Sequence, residues 1–158
     1  MTKYIIGLIS AAVFFLIGFL LLWAETWYFE NQLDVSPFAG TSQQDWLQNF
    51  SDVAYSQLGT ALVFTLAWHS IGYWYYKIDR WQKAGGRLVW TALFVFMLIV
   101  VASIGWTYTY PTQDSGKVLA VGAYLLNAVF IYYGSSFFSP TTVKYVAPGA
   151  MRVNRIWS

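Results

Sequence analysis

Few residues in this chain could do chemistry, and the first is His69. It stands in LAWHSIGYWYYKIDRW, residues 66–81, where a ladder of aromatics gives way abruptly to charge, and it is the only histidine. An imidazole can ligate a haem or another pigment. Met97, expected at nearly the same depth on a neighbouring apolar run, could supply a second axial ligand. The competing reading makes His69 a polar anchor between helices or subunits, one helical turn from Tyr73. The anchor is the expectation taken here, so no cofactor is expected; haem or pigment through His69 is the alternative.

Asn127, in AYLLNAVF, is the second candidate. A carboxamide in an apolar run needs hydrogen-bond partners and should face another helix or a wet cavity. The threonines between Thr60 and Thr65 are its expected neighbours. Glu25, Glu30 and Asp34 could meet a cation, yet they lack calcium-loop spacing and read as a solvated acidic loop.

Other chemistries close quickly. The chain has no cysteine, which excludes disulfides, iron–sulfur clusters and Cys-based zinc sites. A single histidine cannot complete a typical zinc site, so no metal is expected. No phosphate-binding glycine loop is present. Ser70 adjoins His69, but consecutive residues on a helix do not face each other, so no catalytic pair is expected.

These residues must be positioned by membrane-spanning elements. Hydrophobic residues make up 58% of the chain and charged residues only 10%, against about a quarter charged in a soluble domain. Four stretches carry no charge: Tyr4–Trp23, Val53–Tyr76, Leu88–Tyr110 and Val118–Ser139. Each reaches the ~20 residues that a helix needs to cross the hydrocarbon core. Backbone groups in lipid must bond within their own segment, and the alternation of a barrel strand is absent. The expected fold is therefore an all-α integral membrane protein with four transmembrane helices in a single domain.

Charge sets the expected orientation. Lys3, Lys77, Arg80, Lys83, Arg87, Lys144, Arg152 and Arg155 fall on one side of this map, opposed only by Asp79. The other side holds Glu25, Glu30, Asp34, Asp45, Asp52 and Asp114, with Lys117 as its one base. The positive-inside rule then places both termini in the cytoplasm, in a bacterial inner membrane. The N-terminal run is longer than a signal-peptide core and lacks a small-residue cleavage site, so it is expected to remain as the first span.

The connections divide into an outer loop (24–52), an inner loop (77–87) and an inner tail (140–158). Within the outer loop, Pro37 and Gly40 mark a turn, and Ser42 with Asp45 fits a helix-capping pattern. Ser42–Lys77 is expected to form one helix, or a short interfacial helix joined to the second span. Trp46 and Phe50 share one of its faces and are expected to meet a partner protein, as are Tyr73 and the tail residues Arg152 and Arg155.

The functional expectation is a non-catalytic subunit of a larger inner-membrane assembly, such as secretion or transfer, respiratory or photosynthetic, or envelope machinery. Its partners would be other membrane subunits and the lipid bilayer. The low density of basic residues excludes a nucleic-acid footprint. A small homo-oligomeric channel or carrier is one alternative, and a cofactor subunit using His69 is the other.

Overall fold

The computed structural model describes residues 2–75, 85–109 and 114–137. All regular structure among them is helical. Four long helices are present, α1 (Thr2–Asn31), α3 (Gln43–Tyr75), α4 (Gly86–Tyr108) and α5 (Asp114–Phe137), and one short helix, α2 (Ser36–Ala39), lies between α1 and α3. Three segments are long and apolar enough to cross a membrane: Ile5–Asn31, Gly86–Tyr108 and Asp114–Ser136. The chain is thus all-α and of membrane type. The helix α3 is more polar than these three because it carries Gln57, Thr60, Thr65, His69 and Ser70.

The first helix is longer than expected. The outer loop was expected to begin at Ala24, but α1 continues to Asn31. ETWYFEN introduces charge without introducing a breaker, and charge can end an apolar run without ending a helix. The end of α1 is instead set by capping. Its last carbonyls are a set of acceptors with no partner inside the helix. Gln43 Nε2 reaches back from α3 to donate to the carbonyls of Phe29 at 2.7 Å and Glu30 at 3.2 Å.

The turn chemistry read from 37–45 is present. Pro37 sits in the first turn of α2, and Gly40 closes it with φ at 66°, a left-handed conformation that glycine adopts without steric cost. Ser42 and Asp45 then start α3. The Asp45 amide donates to Ser42 Oγ at 3.2 Å, and that hydroxyl donates to Asp45 Oδ2 at 2.6 Å. Ser42→Ala should lower stability by about 1 kcal/mol, measured as a shifted denaturant midpoint. Nearby, the Ser36 hydroxyl and amide hold the exposed Asp34 carboxyl below the usual carboxylate range. That contribution is complete at neutral pH and disappears as acid protonates Asp34.

The helices form a bundle in which α3 and α5 make the central pair. The helix α1 packs along one side of that pair and α4 along the other. Two ends result: a connection end, carrying α2 and the start of α3, and a terminal end, carrying the start of α1. Glycines set the close approaches. A Cβ at Gly18 of α1 would stand 2.7 Å from Ile131 Cδ1 and 3.3 Å from Leu58 Cδ2, so these three residues share a level. Large apolar side chains face outward on every long helix, among them Leu20, Val63, Leu88 and Leu126. An apolar surface this extensive suits a lipid solvent. The expected inner loop is described only from Gly85 onward, and the tail 140–158 lies outside the described residues.

Candidate functional site

At the connection end, α1, α3 and α5 close over an aromatic stack. Trp46 and Phe50 of α3 lie parallel with ring centroids 5.3 Å apart, and Phe50 stacks on Tyr124 of α5 at 5.2 Å. Phe29 of α1 meets both Trp46 and Phe50 edge-on. The Thr109 hydroxyl faces Tyr124 Oη at 3.5 Å, and Tyr124 in turn donates to the Phe50 carbonyl at 3.2 Å. Trp46 and Phe50, expected at a partner surface, are only 1% and 0% exposed. The prolonged α1 and the fully buried Val35 and Ala39 beside α2 account for this burial. These two aromatics bind the chain's own helices.

Directly inward of Tyr124, α5 presents Asn127 to α1. Asn127 Nδ2 donates to Glu25 Oε2 at 2.8 Å. The expected threonine neighbours are spent elsewhere: Thr60 and Thr65 donate to the Ser56 and Ala61 carbonyls of their own helix. Asn127 is 3% exposed, and its Oδ1 has no hydrogen-bond partner. Gln57 of α3 is 2% exposed, and both its amide atoms are without one. Gln57 precedes Leu58 and Asn127 lies one turn from Ile131, so both are within about one helical turn of the Gly18 level. Glu25 thus lies part-buried within α1 rather than in a loop.

Sequence reasoning assigned Glu25 to a solvated acidic loop, and so missed it as the partner of Asn127, because its charge was read as the end of the span. A signal existed. Ala11, Gly18, Leu22 and Phe29 mark the buried stripe of α1, and Glu25 falls on it at helical spacing.

A second polar cluster holds the terminal end. Trp90 Nε1 donates to Ser136 Oγ at 3.0 Å, and Tyr132 Oη donates to the Trp90 carbonyl at 3.1 Å, tying α4 to α5. Ser10 Oγ donates to the Ser135 carbonyl at 2.9 Å, tying α1 to α5. Tyr132→Phe should cost about 1 kcal/mol, because it leaves the buried Trp90 carbonyl without that donor. Chemical denaturation in detergent measures it.

His69 is 3% exposed and packs against α1, where a Cβ at Gly7 would approach its Nδ1 to 3.1 Å. Met97 is fully buried on α4, the helix on the other side of the central pair. The Phe64 and Phe96 rings meet at 5.7 Å, which fixes the relative depth of α3 and α4. His69 lies toward the terminal end from that contact and Met97 toward the connection end, a separation of about 9 Å along the axis. The structure does not bring the two together as ligands of one metal. Tyr73 lies in the last turn of α3 with its side chain outside the described residues, as are Arg152 and Arg155. Among the described residues no group of histidines or acids is placed to hold a metal ion.

The exposed side of the connection end carries a groove of about 630 Å³ between α1 and α3, lined by Thr26, Glu30, Gln43, Gln44, Leu47 and Gln48. Its walls are ordered by the Gln43 cap and the Ser42–Asp45 box described above. Comparison with protein-family models, with curated proteins and with solved structures finds no match to this chain.

Proposed function

We propose that the chain is a non-catalytic subunit of a larger inner-membrane assembly, with α3 as a fourth span and both termini cytoplasmic. One observation carries this reading: the long connection between α1 and α3 is a built platform. Gln43 ties the start of α3 to the end of α1, Val35 and Ala39 are buried against the bundle, and the aromatic stack anchors the whole. A mere tether would need none of this. The platform leaves an acidic and carboxamide-lined groove facing away from the core, suited to a basic segment of another subunit.

Support also comes from where the polar groups go. Ser10, Trp90, Thr109, Tyr124, Tyr132 and Ser136 bond within the bundle, which makes them fasteners between helices. Packing supports the fourth span. The helix α3 lies centrally against α1, α4 and α5, so Gln57, Thr65 and His69 are buried while Val63 faces out.

The chain has no native cysteine, so single cysteines can test the platform directly. Gln44→Cys and Gln48→Cys should cross-link in native membranes to a protein of one defined mass, and Leu126→Cys on the lipid face should not. Cross-links confined to lipid or to random proteins would contradict the reading.

A further inference from the structure

One outward face of α3 is polar where its setting is apolar. Asn49 Nδ2 donates to the Tyr108 carbonyl at 3.3 Å, which places Asn49 level with the end of the apolar Gly86–Tyr108 segment. The Phe64–Phe96 ring contact shows that α3 continues alongside α4 from there. At helical rise, Asp52 lies about 4.5 Å below Asn49, Ser56 about 10 Å and Thr60 about 16 Å. These three follow one another at i, i+4 spacing and share one face. Asp52 and Ser56 are exposed. Gly59 adjoins them and faces open space, since a Cβ there would meet nothing within 4 Å.

A groove of about 310 Å³ between α3 and α4 opens on this face, lined by Asn49, Asp52, Val53, Ser56, Ile104 and Tyr108. The Asp52 carboxylate makes no hydrogen bond or ion pair among the described residues. Lys117, the one base on that side of the charge map, is engaged over the Trp106 ring, 5.6 Å from its centroid. A carboxylate below the rim of a span calls for a positive charge beside it. Acyl chains supply neither that charge nor a partner for hydroxyls deeper down, and headgroup amines stay at the rim. A second helix supplies everything at once. Its basic side chain reaches Asp52 through the groove, and small residues such as Ser56 and Gly59 let its backbone come close.

We propose that the α3–α4 groove is the docking surface for a membrane-spanning helix of a partner subunit, which sets a lysine or arginine against Asp52. The proposal rests on the subunit reading and adds where the partner enters the bilayer and what chemistry it carries. The surface is separate from the connection-end groove, which lies between α1 and α3 and is lined by other residues of α3.

The test uses the full chain in native membranes, with the photo-cross-linker benzoylphenylalanine in place of Ser56 and, as the lipid-facing control, in place of Leu126. Position 56 should give one adduct of defined mass, whose linked peptide maps to an apolar span bearing a lysine or arginine; position 126 should give lipid adducts. Adding Asp52→Lys should lower the protein adduct by about tenfold or more, as expected for reversing one partner of a close charge pair. Asp52→Asn should lower it less, and an acid in place of the partner's base should restore it in Asp52→Lys. Lipid adducts alone at position 56, an adduct with a second copy of this chain, or a protein adduct indifferent to Asp52→Lys would each overturn the proposal. If Gln44→Cys still captures a defined protein in that event, the subunit reading stands and only the docking surface is wrong; if it captures none, both fall.

Discussion

Phe50→Ala should destabilise the protein by about 3–5 kcal/mol, the cost of removing a fully enclosed aromatic from a packed core. Phe50 is 0% exposed and touches three other rings: Trp46, Tyr124 and Phe29. Aromatic pairs contribute about 0.5–1.5 kcal/mol beyond the area they bury. The loss should not be confined to α3, because Phe50 joins three helices. Unfolding in mixed micelles, followed by tryptophan fluorescence, should show a lower midpoint, and the platform should become protease-sensitive before the rest. Retention of wild-type stability would mean that the stack is not the fastener described here.

The second large effect is steric. A Cβ at Gly134 of α5 would lie 2.3 Å from Cε1 and 2.6 Å from Cδ1 of Phe14 on α1. No real Cβ contact is that short, and the obstacle is a ring that also packs against Phe130. Membrane helices associate through close packing where small residues let backbones approach, with little hydrophobic drive between them. Gly134→Leu should therefore cost at least the ~1–3 kcal/mol typical of overpacking. Pairing it with Phe14→Ala should restore a measurable part, since contacting sites couple by about 0.5–3 kcal/mol. A double mutant no more stable than Gly134→Leu alone would place the α1–α5 contact elsewhere.

Much of the helical framework was legible from local chemistry. Ser42 and Asp45 announced the start of α3, Pro37 and Gly40 announced a turn where the short α2 lies, and charge-free runs announced the apolar parts of α1, α4 and α5. What stayed hidden depended on contacts between distant residues. An aromatic face on α3 looks the same whether it meets a partner or its own core. Trp46 and Phe50 are core because α1 runs past Ala24, and no local signal in ETWYFEN separates helix end from span end. The Glu25–Asn127 pair joins α1 to α5 across most of the chain. Only the requirement that Asn127 find a partner hinted at it, and the depth argument pointed to the wrong helix. The His69–Met97 depth match was counted within each span separately, and the Phe64–Phe96 contact offsets the two residues by about 9 Å along the axis.

The subunit reading also clarifies the role left to the polar core. Glu25 and Asn127 join α1 to α5 just beneath the platform. Loss of that bond should loosen the platform without dismantling the terminal end, where Trp90, Ser136 and Tyr132 form their own lock.

Purification from native membranes in mild detergent, followed by native mass spectrometry of everything that co-elutes, tests the central claim most directly. The account predicts defined partner proteins in fixed stoichiometry with this chain. A lone chain, or a homo-oligomer with no other protein attached, would contradict it and favour a self-assembled channel or carrier.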